Sequence, residues 1–295
     1  MKAKEIAAFI KGEILGDPKK EIKRPGYLHT AKSDELAYCY LKDDRKDLES
    51  IKKTKAGIVI CSKHLKKKLK QIKNGPTMIL SNAAKYDFAR VLQNFFAEEV
   101  RAISPLAFIG SNVRLGKEVD IHPNVVIYDG TIIGNRVTIR ANAVLGAEGL
   151  DYGKNKYGEL KRVPHMSSLI IEDDVDIGSN TTIQKGILRP TILGKGTKIG
   201  PNCDIGHEVE IGSHCVIAGM TLIAGATEIG DFTFIAPHST IRNSIKIGRN
   251  VFVGIGSLVV KNVPEGATIL GRPALEIEKF RNYRARLKQL LGESS

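Results

Sequence analysis

From residue 109 onward an aliphatic residue returns every sixth position: Ile109, Leu115, Ile121, Ile127, Ile133, Ile139 and Leu145. The period resumes at Ile171, Ile177 and Ile183 and changes phase across QKGILRPT. It then runs from Leu193 through Ile199, Ile205, Ile211, Ile217, Ile223, Ile229, Ile235, Ile241, Ile247 and Val253 to Val259. Helices repeat near 3.6 residues and strands at 2, so neither has this spacing. Two positions before the aliphatics stand mostly small or β-branched residues, such as Thr197, Cys203, Val209, Cys215, Thr221 and Thr227, and glycine follows many of the aliphatics. This is the hexapeptide signature of a parallel β-helix, whose coils stack and bury the aliphatic column. The pattern predicts a mainly β fold, a β-helix over residues 101–272. Before it, residues 1–100 alternate helical spacing (KEIAAFIKGEIL, AKYDFARVLQNFF) with a β-rich run (AGIVIC), which predicts a small α/β domain. After it, residues 273–295 read as a C-terminal helix, with Ile277, Phe280, Leu287 and Leu291 on one side.

The long interruption, residues 146–168 (GAEGLDYGKNKYGELKRVPHMSS), is rich in glycine and charge. Insertions in solenoids emerge on one face, often the binding face. Three hexads complete one coil, so position 207 stacks beneath position 225 about eighteen residues on. Those positions are His207 and Gly225, the latter flanked by Ala224 and Ala226. An outward imidazole can take a proton, and a glycine main chain can bring an N–H to a developing oxyanion. His214 occupies a different place in its hexad and reads as a surface residue. Metal binding by His122, His207, His214 and His238 is a competing reading that their spacing does not favour.

Composition narrows the classes. The chain has 295 residues, 42% hydrophobic, with a formal net charge of +13. Such charge attracts acidic partners of several kinds and does not choose among them. Part of it lies in a lysine run from Lys63 to Lys73 that reads as a solvated helix face. Four cysteines, Cys39, Cys61, Cys203 and Cys215, form no C-x-x-C pair and no disulfide density, so a reducing cytoplasm is expected. The opening MKAKEIAAFIKGEIL does not read as a signal peptide, and no apolar run approaches membrane-spanning length.

The hexad pattern is similar to that of the left-handed, three-sided β-helix acyltransferases. The order of domains, the insert followed by IIEDDVDIGSNTTIQKG, and the stretch DIGHEVEIGSHCVIAG make the chain resemble the UDP-3-O-acylglucosamine N-acyltransferase family of lipid A synthesis. The resemblance implies that His207 is the general base for the sugar amine and that Gly225 donates its backbone N–H to the oxyanion. It further implies a homotrimer with sites between subunits, acyl carrier protein as donor and no resident cofactor or metal. A nucleotide sugar is the acceptor, and neither nucleic acid nor stable membrane insertion is involved. Substrate contacts are expected from Tyr38 in the N-terminal domain and from Tyr152, Lys161, Arg162 and His165 in the insert. Gly219 and Ala224 are expected along the acyl groove, with Arg281, Arg284, Arg286 and Lys288 at the carrier-docking helix. The chain departs from the family at Leu41 and Asp44, where an asparagine and aromatic cluster is usual. It departs again at Gly200, in place of a supporting aspartate, and at Ser244, in place of a second histidine. ILGRPALEI is similar to the ending of acetyl-CoA-dependent transferases, which leaves acetyl-CoA-dependent N-acetyl transfer as the nearest alternative. A noncatalytic solenoid scaffold is the alternative from another class.

Overall fold

The aliphatic column forms the interior of a left-handed parallel β-helix, and every member from Ile121 to Val259 is buried, with Ile109 and Leu115 partly so in the first coils. A computed structural model describes residues 1–40, 43–72, 74–97 and 101–291. Leu41 and Lys73 lie outside the described residues. The chain divides into two compact units, Met1–Val100 and Arg101–Ser295.

In the second unit, short strands stack into three parallel sheets, one on each side of the prism. Face I runs from Arg114–Leu115 to Lys246–Ile247, face II from Asp120–Ile121 to Phe252–Val253, and face III from Phe108–Ile109 to Leu258–Val259. Successive coils pair in register at eighteen residues, as Asp204 with Leu222 and Glu210 with Glu228. Each isoleucine points inward while its predecessor points out. The small residues two positions earlier are also buried, and their hydroxyls bond the coil above. Thr197 Oγ1 donates to the Gly212 carbonyl at 2.7 Å and Thr233 Oγ1 to that of Gly248 at 2.9 Å. Cys203 and Cys215 replace two of these threonines, with Sγ 3.3 Å from the Ala218 carbonyl and 3.2 Å from that of Gly230. Burial pushes both thiols up, which keeps them protonated and unreactive.

The two irregularities of the sequence fall on one edge. The strand Val144–Ala147 ends face III and Leu169–Ile171 resumes face I, so the insert leaves at the III/I corner. The next coil passes from Thr182–Gln184 to Thr191–Leu193, placing the loop 185–190 at the same corner. Pairing partners therefore lie 38 residues apart across the insert, as Ile132 with Ile170, and 22 apart across the loop, as Thr182 with Asp204. At the next two III/I corners stand His207 and Gly225. The solenoid ends in an antiparallel hairpin, Thr268–Gly271 with Ala274–Glu276, followed by a helix over Ile277–Leu291.

The first unit is a five-stranded sheet in the order Glu13–Leu15, Thr77–Ser81, Ile58–Ser62, Glu35–Cys39, Arg24–Pro25. The first pair is antiparallel and the rest are parallel. Part of the lysine run forms a 3₁₀ turn, Lys63–Leu65, and a helical turn, Lys66–Leu69, with Leu65 and Leu69 buried. Cys39 and Cys61 are buried free thiols, and burial pushes Cys61 up to about 12.

Candidate active site

His207 projects from the corner between Asp204–Ile205 and Glu210–Ile211, with about a quarter of its side chain exposed. Its backbone carbonyl accepts the Ala226 N–H at 2.8 Å, which seats the next coil directly over it. The close approach explains Gly225: a Cβ there would stand 2.6 Å from His207 Nε2. Among the described residues no acceptor of the chain takes the Gly225 N–H. The Gly225 main chain thus passes close to an imidazole nitrogen at a partly open corner.

The other ring nitrogen, Nδ1, is buried without a hydrogen-bond partner and lies 3.8 Å from the Glu208 carboxylate. That distance is too long for a hydrogen bond. Glu208 is fixed by three contacts. Its backbone sits in the left-handed region at φ 57°, and its N–H donates to Thr191 Oγ1 at 2.8 Å. Its carboxylate accepts the N–H groups of Leu188 at 2.9 Å and Arg189 at 3.1 Å. Burial opposes its ionisation, but these two donors prevail and hold the carboxyl below the usual glutamate range. Gly200 has no room for the aspartate of the family pattern, because a Cβ would meet the backbone of Gly219. The carboxylate that faces His207 in this chain is Glu208, its neighbour in sequence. Asp204, on the same coil, is pushed up by desolvation. Ser244 contributes its backbone, donating its N–H to the Gly225 carbonyl at 3.0 Å.

The insert reaches this corner through His165. That ring is 2% exposed and lies edge to face with His207, centroids 5.4 Å apart. Both its nitrogens are engaged with backbone, so the expected substrate contact from His165 is not open to it. The remaining insert residues stand on a hairpin of Tyr152–Lys154 with Leu160–Arg162. Tyr152 and Lys161 are exposed. Arg162 pairs with Glu148, whose carboxylate is also 3.7 Å from Lys185. Gly219 and Ala224 fall on different corners: Gly219 follows face II and Ala224 follows face III. They do not line one edge of the prism, so an acyl groove touching both would have to cross face III.

In the first unit Tyr38 is half-buried, its ring against Phe88 with centroids 4.7 Å apart. Asp44 accepts from His64 Nε2 at 2.7 Å and pairs with Lys68 at 3.4 Å, and Ser62 Oγ lies 2.6 Å from His64 Nδ1. Sequence reasoning missed this chain, which only the placement of a helix start beside a strand end brings together. On the C-terminal helix, Arg281, Arg284, Arg286 and Lys288 are exposed, with Arg281 paired to Glu278 at 2.8 Å. Ile277 and Phe280 are half-buried, and Leu287 and Leu291 are exposed. Among the described residues no three His, Cys, Asp or Glu side chains are grouped to hold a metal ion, and no helix is long and apolar enough to cross a membrane.

A three-sided solenoid of hexads with an imidazole beneath a glycine main chain defines a hexapeptide acyltransferase. The six-repeat bacterial transferase hexapeptide family model matches residues 107–147 and 190–225, on either side of the irregular coils. The chain belongs to the UDP-3-O-acylglucosamine N-acyltransferase family. It is 30% identical over 237 residues to UDP-3-O-acylglucosamine N-acyltransferase 1 of Francisella tularensis subsp. holarctica (strain OSU18), a match covering 66% of this chain and 67% of that protein. It is 28% identical over 233 residues to UDP-3-O-acylglucosamine N-acyltransferase of Coxiella burnetii (strain Dugway 5J108-111), covering 66% of each. Among solved structures, a UDP-N-acetylglucosamine acyltransferase from Bacteroides fragilis 9343 superposes with a TM-score of 0.50 at 27% identity, covering 62% of this chain and 78% of that one.

Proposed function

We propose that this enzyme transfers an acyl group from an acyl carrier protein thioester to the 2-amino group of a UDP-linked amino sugar such as UDP-3-O-acylglucosamine. The single observation that carries the reading is His207 Nε2 directly beneath the Gly225 main chain. His207 takes a proton from the attacking amine as nitrogen bonds to the thioester carbonyl carbon. The carbonyl oxygen becomes an oxyanion and accepts the Gly225 N–H. Collapse of the tetrahedral intermediate breaks the carbon–sulfur bond, and the proton on His207 passes to the departing thiolate. The products are an amide and a free carrier thiol. Glu208 remains ionised and balances the imidazolium.

The working form is proposed to be a homotrimer. A corner site with His207 partly open is shallow, and a second subunit would enclose it. The basic C-terminal helix suits an acidic carrier protein, and Tyr152, Lys161 and Arg162 would meet the sugar nucleotide from the insert. Four free cysteines suit a cytoplasmic setting.

The test is turnover with UDP-3-O-acylglucosamine and either acyl carrier protein or acyl-CoA thioesters, followed by mass spectrometry. His207→Ala should lose about 10²–10⁴ in kcat, the usual worth of a general base. Full turnover by that variant would remove the assignment.

A further inference from the structure

The mechanism leaves a second imidazole at the same corner unexplained. His165 closes the insert, and its plane stands at 89° to that of His207. Its Nε2 accepts the Gly149 N–H at 3.2 Å, and its Nδ1 lies 3.3 Å from the Val163 carbonyl, to which it donates. A ring that accepts at one nitrogen and donates at the other is neutral. Burial, the main cause, and the neighbouring His207 pull its pKa below the ordinary histidine value. His165 therefore stays uncharged while His207 cycles.

We propose that His165 is a positioning residue: a neutral wedge, held by the two ends of the insert, that fixes the His207 ring and keeps water from its flank. The proposal rests on the reading of His207 as the base. A continuous set of contacts supports it. A Cβ at Gly149 would stand 2.0 Å from Gln184 Oε1 and 3.2 Å from His165 Nε2, so the Gln184 side chain would have to shift. Gln184 Oε1 in turn accepts the backbone N–H of His207 at 3.2 Å. The insert and His207 thus meet through His165, Gly149 and Gln184. The charged groups around the pair are Glu208 beside His207, Glu148 and Asp151 on the insert, and Lys185 on the loop. His165 adds no charge to this set, so its effect on His207 is steric and dielectric.

The experiment compares His165→Ala, His165→Gln and His165→Phe by kcat, KM and melting temperature. In His165→Ala, kcat should fall about tenfold to a hundredfold, the scale of an ångström-level misplacement, with KM nearly unchanged. His165→Gln can still accept the Gly149 N–H and should recover part of kcat. His165→Phe keeps a ring against His207 but leaves Gly149 and Val163 unpaired, and should lose stability more than kcat. A folded His165→Ala with natural kcat overturns the proposal. A rise in KM alone also overturns it, by making the ring a substrate contact. Should His165→Ala fail to fold, kcat and KM of His165→Gln decide, and natural values there overturn the proposal. His207→Ala run in parallel separates the two levels: full turnover there removes the base itself, whereas an inactive His207→Ala beside an indifferent His165→Ala removes only the positioning role.

Discussion

At the residue scale, Glu208 stands between His207 and the loop beneath it. Its carboxylate holds the Leu188 and Arg189 N–H groups and faces His207 Nδ1. Because its folded pKa is depressed, its stabilising contribution is present above the ordinary glutamate pKa, about 4.3, and is lost as pH falls through the lower folded value. Melting temperature should therefore decline more steeply on acidification below about pH 4.3 in the natural protein than in Glu208→Gln. Parallel curves for the two proteins would contradict this. The same substitution removes the negative charge that faces His207 Nδ1, so it should also lower kcat. Glu208 was visible in the sequence only as a neighbour of His207. Its bonds to residues some twenty positions earlier depend on the wide corner that QKGILRPT makes.

At the scale of elements, each coil is held by the coils above and below it, and the insert is an excursion from one corner. The hairpin from Tyr152 to Arg162 projects exposed side chains and shares no ladder with the three faces. Replacing residues 152–162 with a two-glycine link keeps Gly149, Val163 and His165. The solenoid should then melt close to the natural temperature, while acyl transfer should be abolished because Tyr152, Lys161 and Arg162 are gone. Calorimetry and turnover on one preparation check both statements, and retained turnover would show that the hairpin does not meet the substrate. The hexad pattern made the coils legible because the coils repeat one local solution: an inward aliphatic, a small or β-branched residue two positions before it, and turns with a left-handed residue. The hairpin was legible only as an interruption, since its strands carry no periodic burial.

At the scale of the whole molecule, the proposed homotrimer would cover the open corner of the solenoid. Sedimentation should give a mass three times 32.2 kDa. An active monomer would contradict the trimer. Glutamate at Arg281, Arg284, Arg286 and Lys288 should slow turnover with acyl carrier protein and weaken its salt dependence, while turnover with acyl-CoA changes little. Equal, salt-independent effects on both donors would turn the reading toward acetyl-CoA.

The column from Ile109 to Val259 by itself determined the solenoid, because a six-residue period has one way to bury its aliphatics. The eighteen-residue coil placed His207 under Gly225 by the same arithmetic. Tertiary structure alone decided what stands beneath His207. Partners 38 and 22 residues apart bring the insert and the QKGILRPT loop to that corner, and no period in the sequence encodes those offsets. The edge-to-face contact of the two imidazoles, and the burial that takes His165 from solvent, follow from chain closure around irregular coils, where packing and backbone hydrogen bonds outweigh local pattern.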